Sequence, residues 1–337
     1  MKRVLISIIL LTLFSFSVMA MEKINLTDLT IEEKVGQLIM VKPIGLNQDY
    51  IDELKIGGIF LNRLNSTEKY VEKIEFYKNL SKTNLFIATD MEGYWNPFPE
   101  YNSKNFGEIN SKNESYNLGK EHGKKLSELG FNLDFSPIVE VRNTVWPGRS
   151  FTGNKKEVED KISGYIKGLQ EENILATAKH YPGGSMVKNP HLIKYKTNIT
   201  KEDLEYFDFA VSKNVDFVMI GHPIVYGAID SNGKQATISP KVINNLRQNF
   251  EGIIITDAVT MMGLRLSYLF NFKKVYPDLI LAGNNIILDS HIHSGYKKIK
   301  KRRDYLIKQA KNDEVLMKKI DESVIKILEK KGYEVLK

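Results

Sequence analysis

Acidic, imidazole and basic residues recur at the ends of short apolar segments in this 337-residue chain. Asp90-Met-Glu-Gly closes one segment, Lys179-His180-Tyr-Pro-Gly-Gly another, Gly221-His222-Pro a third and Thr256-Asp257-Ala a fourth. Arg149 and His191 fall in loops between them. Ionisable groups are costly to bury without partners, so packing is a poor account of these positions. A carboxylate at a strand end can attack an electrophilic carbon, and a nearby imidazole can protonate a leaving oxygen. Asp90, Arg149 and Lys179 offer charged hydrogen-bonding groups of the kind that hold sugar hydroxyls. A divalent-metal hydrolase is the competing chemistry, and it needs the same His and carboxylate groups to converge at short range. Neither GxSxG nor HExxH occurs, which removes the serine-hydrolase and zincin readings. With no Cys there is no thiolate nucleophile, thiolate metal site or disulfide.

The segments that would position these residues are regular. Eight apolar, β-branched runs are Gly36–Lys42, Gly57–Leu61, Asn84–Thr89, Leu133–Val139, Leu175–Lys179, Asp216–Ile220, Gly252–Thr256 and Asn285–Leu288. Their near-continuous apolar character predicts strands buried on both faces of a parallel sheet. Amphipathic stretches over 66–79, 111–129, 155–171, 201–213 and 239–249 lie between them. Ser66, Thr200 and Ser239 are the predicted helix N-caps, and Gly130 and Asn173 the predicted terminators. Strands alternating with helices predict a single-domain α/β protein, a (β/α)8 barrel over 21–337 whose site lies at the strand C-termini. A doubly wound sheet is the runner-up, weakened because no GxGxxG opens a helix after an early strand. Residues 296–337 predict a charged helical tail.

Residues 1–20 read as a signal peptide: Lys2 and Arg3, an apolar run over Val4–Val18, then Val18-Met19-Ala20 with cleavage after Ala20. Export to the periplasm or exterior follows as an expectation, with no stable membrane span after cleavage. Composition is globular, with 42% hydrophobic and 26% charged residues. Lys and Arg number 48 against 41 Asp and Glu, but they are dispersed, so no nucleic-acid partner is expected. The one dense cluster, Lys297–Arg303, reads as a solvated helix face. Oligomeric state is not legible.

The ordered motifs resemble family 3 glycoside hydrolases, in their single-domain β-N-acetylhexosaminidase branch. The matching pieces are Asp90-Met-Glu-Gly, Gly130-Phe-Asn-Leu-Asp-Phe-Ser-Pro-Ile-Val, Gly148-Arg-Ser-Phe, Lys179-His-Tyr-Pro-Gly-Gly, Ala236-Thr-Ile-Ser-Pro and Ile254-Ile-Thr-Asp257 followed by Met261-Met-Gly-Leu. What the resemblance implies is a retaining, two-step reaction on a terminal N-acetylglucosamine of peptidoglycan-derived or related glycans. It makes Asp257 the nucleophile and the loop residue His191 the acid/base. It also makes Asp90, Arg149, Lys179 and His180 the sugar-binding positions, and it implies neither a metal nor an organic cofactor. His222 is a further candidate ligand, with hydrogen bonding to neighbouring backbone as its other use.

Three departures from the family pattern stand out. Asn189 occupies the position of the Asp that orients the acid/base His, so it can bond the ring but supplies no charge. Gly184 stands where the pattern carries a His, and Tyr94-Trp95-Asn96-Pro97-Phe98 replaces a Gly and Arg residues. These leave a catalytically weak, glycan-binding homologue as the alternative, beside another β-glycosidase or a phosphorylase. Arg149 can equally brace its loop through a carboxylate, and Trp95 can pack or stack on a sugar ring. His291 and His293 have no assignable task.

Overall fold

The structure, a computed structural model, describes residues 21–98, 100–189, 191–290 and 295–337. The segment read as a signal peptide, together with His291 and His293, lies outside them. All eight apolar runs form strands, named here β1 (Ile39–Val41), β2 (Gly58–Phe60), β3 (Phe86–Thr89), β4 (Leu133–Asp134), β5 (Leu175–Tyr181), β6 (Phe217–Ile220), β7 (Ile253–Thr256) and β8 (Ile287–Asp289). They pair in parallel in the order β7–β6–β5–β4–β3–β2–β1–β8. Ile255 and Ile286 bridge the two outer strands, and the Thr256 N–H donates to the Ile286 carbonyl at 3.0 Å, so the sheet closes into the expected barrel. β4 is shorter than its apolar run because Pro137 has no N–H to extend the ladder. β5 runs on to Tyr181, with a register shift against β6 between Lys179 and Tyr181.

Helices fill the crossovers: Thr67–Leu80, Lys112–Glu128, Lys155–Glu171, Lys201–Ser212, Pro240–Arg247 and Val275–Ala282. Of the three predicted N-caps only Thr200 makes a side-chain cap bond, accepting from the Asp203 N–H. Asn154, Ser111 and Thr30 supply caps that were not singled out. Gly130 and Asn173 both take positive φ where their helices stop. Outside the barrel, Lys196–Ile199 pairs with Ile224–Gly227, which anchors the far end of the long loop after β5. Among the described residues no helix is long and apolar enough to cross a membrane.

The tail folds as two helices, Tyr296–Ala310 and Glu314–Lys330. The basic cluster is only partly solvated. Helical spacing puts Ile299, Arg302, Arg303 and Leu306 on one buried side, where Arg302 pairs with Asp289 at the end of β8.

The helices Lys112–Glu128 and Lys155–Glu171 approach unusually closely. Ser115 Oγ donates to the Lys161 carbonyl at 2.7 Å between them. A Cβ on Gly168 would lie 2.1 Å from the Tyr116 carbonyl oxygen, which is backbone and cannot swing aside. Gly168→Ala is therefore expected to push the pair apart and cost about 1–3 kcal/mol. A lowered urea midpoint with an unchanged slope is the outcome to look for, and an unchanged midpoint would contradict this account of the packing.

Candidate active site

Asp90, Arg149, Lys179, His180, Asn189, His191 and Asp257 line one cavity of about 490 Å³ at the C-terminal mouth of the barrel. They arrive from β3, the loop after β4, β5, the loop after β5 and β7. Strict alternation along a strand would turn one of Lys179 and His180 away from the mouth. The register shift at that point lets both face it.

The floor is a chain of ion pairs. Lys179 Nζ meets Asp90 Oδ1 at 2.8 Å and also Glu92 Oε1. Arg149 grips Glu92 with two parallel bonds, Nε to Oε2 at 2.7 Å and Nη2 to Oε1 at 2.9 Å. Arg149 thus both braces its loop through a carboxylate and lines the cavity. Burial alone would raise the Glu92 carboxyl, but Arg149 and Lys179 hold it down at about 2. Lys179 stays above its ordinary value despite full burial, because Asp90 and Glu92 outweigh the loss of water.

The Asp90–Glu92 turn is itself clamped from behind. The Met91 N–H donates to Asp134 Oδ1 at 2.8 Å, and the Tyr165 hydroxyl donates to the Met91 carbonyl at 2.9 Å. Tyr165 belongs to the closely packed helix pair, and its hydroxyl also meets His122 Nδ1 at 2.7 Å. Burial pushes His122 down to about 3 and the Asp134 carboxyl well up, so it works against charge on both.

Three imidazoles surround Asp257 and differ in what holds them. His180 Nδ1 donates to Glu140 Oε1 at 2.8 Å, while the second carboxylate oxygen accepts the Ser185 N–H at 2.6 Å. His222 is buried and is not among the lining residues. Its Nε2 donates to the Ala258 carbonyl at 3.0 Å and its Nδ1 meets the Thr237 hydroxyl, so it supports the backbone beside Asp257. His191 sits on an exposed loop, and no described residue bonds its ring. Partial desolvation holds its imidazole below the ordinary value, Asp257 opposes this, and Arg149 and His180 reinforce it. Asn189 does not bond the ring either: its Oδ1 accepts the backbone N–H of His191 at 3.0 Å.

Asp257 hangs from β7 through its own N–H, which donates to the Ile220 carbonyl at 2.9 Å. Its Oδ1 accepts the Ala258 N–H at 2.7 Å. Burial would raise this carboxyl, but His180, His222, His191 and the Ala258 N–H together hold it below the usual carboxylate value. It is an ionised carboxylate facing a cavity.

Two carboxylates of the site went unassigned in the sequence. Glu92 stood inside a quoted motif without a task, and Glu140 directly follows the apolar run ending at Val139, the same signal that marked Asp90 and Asp257. Gly184 takes φ +78, and a Cβ there would lie 2.6 Å from Thr197 Cγ2, so the backbone here leaves no room for a side chain. Among the described residues no group of three His, Asp or Glu side chains could hold one metal ion.

Known proteins resemble this chain at low identity. The chain is 22% identical to a β-N-acetylglucosaminidase/β-glucosidase of Cellulomonas fimi, over 90% of this chain and 58% of that one, so it spans just over half the length of that relative. It is 26% identical to a β-hexosaminidase of Haemophilus influenzae, over 74% of this chain and 78% of that one. A solved Mycobacterium smegmatis glycosyl hydrolase of family 3 superposes with a TM-score of 0.80 at 21% identity, over 90% of this chain and 98% of that one, and so shares its fold. Residues 30–329 match the glycosyl hydrolase family 3 N-terminal domain, and the chain belongs to that family.

Proposed function

We propose that this protein is an exported, exo-acting, retaining β-N-acetylhexosaminidase that removes terminal N-acetylglucosamine from peptidoglycan-derived or related glycans. The observation that carries the reading is Asp257, ionised at the end of β7 and facing a polar cavity that also holds His191, whose imidazole no described residue bonds. The hexosaminidase names of the curated relatives support the sugar, and residues 1–20 support export.

The steps follow from the groups present. Asp257 attacks the anomeric carbon as the bond to the leaving oxygen breaks, and His191 in its imidazolium form gives that oxygen its proton. Neutral His191 then takes a proton from water, whose oxygen attacks the same carbon and releases the Asp257 carboxylate. Asp90, with Lys179 behind it, and His180, held by Glu140, bind sugar hydroxyls. Arg149 serves by fixing Glu92 and the turn between them.

Asp257→Asn is expected to abolish turnover of an aryl β-N-acetylglucosaminide, a loss of at least about a thousandfold, with the fold retained by circular dichroism. Near-normal activity in that variant would move the nucleophile elsewhere.

The pH profile tests His191. Its acid step requires imidazolium, and its folded value lies below 6.5, so the rate on substrates with poor leaving groups falls as pH rises through a midpoint below 6.5. The low-pH limb belongs to Asp257 and lies below 3.8. Asn189→Asp adds a negative charge beside the loop and is expected to shift the upper limb to higher pH, raising the rate near neutrality severalfold. Activated aryl leaving groups need little acid help, so their profile lacks that limb. An upper limb unmoved by Asn189→Asp would remove Asn189 as the cause of weak acid catalysis. Retained sugar binding with no turnover even of the aryl substrate would favour the binding-barrel alternative, and products compared with and without phosphate separate hydrolysis from phosphorolysis.

A further inference from the structure

The cations of the cavity are not distributed evenly against its anions. On the β3–β5 side, Lys179 and Arg149 are each paired with a carboxylate. On the β1–β2 side, Lys42 and Arg63 also line the cavity, yet among the described residues neither has a carboxylate within ion-pair distance. Lys42 follows β1, is half-buried, and donates from Nζ to the neutral Asn62 Oδ1 at 2.5 Å. Arg63 lies with its guanidinium 5.4 Å from the centre of the Trp95 ring. Its backbone takes φ +55, an uncommon conformation for a residue with a side chain. Lys42 is crowded by charge: burial, then Arg63 and Lys73, lower its ammonium below the ordinary value, and Asp90 opposes them. Lys73 offers no relief, since its Nζ donates to the Pro43 carbonyl.

Barrel topology says which part of a sugar this wall would meet. Strands four apart face each other across an eight-stranded barrel, so Asp90 on β3 stands opposite Asp257 on β7. A pyranose with its anomeric carbon at Asp257 presents its far edge, C4 and the C6 arm, toward Asp90. Lys42 is close enough to Asp90 to feel its charge.

We propose that Lys42 and Arg63 form a subsite for an oxyanion, a phosphate ester or a carboxylate, carried on the C4–C6 edge of the terminal sugar, with the Trp95 face bordering it. The inference rests on reading the cavity as a sugar site with Asp257 at the anomeric carbon. A substrate of this kind supplies the missing counter-charge, and the half-buried position of Lys42 strengthens the attraction relative to one made in open water.

Calorimetric binding to the intact protein tests it, using N-acetylglucosamine, its 6-phosphate, its 4-phosphate, its C6 carboxylic acid and inorganic phosphate alone. At least one charged sugar should bind about tenfold or more tighter than the neutral one, the best of them identifying the group. That ratio should collapse toward one in Lys42→Met and fall in Arg63→Gln. Three results overturn the proposal: no tighter binding of any charged sugar, a preference that survives both substitutions, or inorganic phosphate matching the sugar phosphates. Turnover of a neutral aryl glycoside is measured separately, so loss of that activity would sink the glycosidase reading while the binding ratio still decides the subsite.

Discussion

The site is organised by a row of two carboxylates and two cations whose inner pair, Lys179 and Glu92, is shut off from water. Lys179 and Glu92 have side chains 1% and 0% exposed, and their outer partners Asp90 and Arg149 complete an alternating row. An isolated charge at such depth costs several kcal/mol, and a row like this is tolerable only when every member is present in good geometry. That requirement reaches far into the fold. The row joins β3, β5 and the loop after β4, so it exists only if the strands end at the same level and in the observed register. It also needs the turn at Met91 to be held from behind, which is the task of Asp134 and Tyr165. Burial works against charge on Asp134 and His122, and the support reaches the row through hydrogen bonds at Met91.

Around this rigid floor the histidines show how one residue type acquires different tasks from its partners alone. His222 has both nitrogens occupied and acts on backbone. His180 has one nitrogen fixed by Glu140, and no described residue bonds the other. No described residue bonds either nitrogen of His191, and its loop is fastened elsewhere: at the Asn189 turn and, farther along, by the strand pair Lys196–Ile199 and Ile224–Gly227. In the proposed reaction a proton donor that must approach a leaving oxygen and later water gains from such freedom, while the groups proposed to fix a sugar gain from its absence. Asp257, the proposed nucleophile, takes an intermediate position, with one oxygen held by the Ala258 N–H.

Much of this was legible in the sequence because parallel strands buried on both faces leave a strong, short apolar signature. All eight runs became strands, and the residues at their ends converged as barrel geometry requires. What escaped lacks that kind of signal. The helix Val275–Ala282 is apolar almost all round and buried, so it has no polar face to reveal a period. The buried pair of arginines in the tail looked like the rest of a basic cluster, since only their partner Asp289 distinguishes Arg302 from a solvated neighbour. His222 shows the limit of reading strand ends: position brought it near the mouth, but the side-chain direction, set by Thr237 and Ala258, took it out of the cavity. Glu140 carries the same strand-end signal as Asp90 and Asp257, but it lies one residue beyond the motif that ends at Val139.

Electrostatics link these observations to what the pocket can hold. A mouth whose cations were all matched would suit a neutral sugar and nothing more. Here the paired wall and the unpaired wall face each other, with Lys179 on β5 directly across from Lys42 on β1. The paired wall keeps its lysine above the ordinary value and the unpaired wall holds its lysine below it, although both lose water on burial. Counter-charge, not depth, sets the sign of the difference. The same reasoning applies to His191, which has lost the carboxylate of the family pattern and sits below its ordinary value as Lys42 does. In both places no carboxylate of a described residue lies within ion-pair distance, and a counter-charge can come from what enters the cavity.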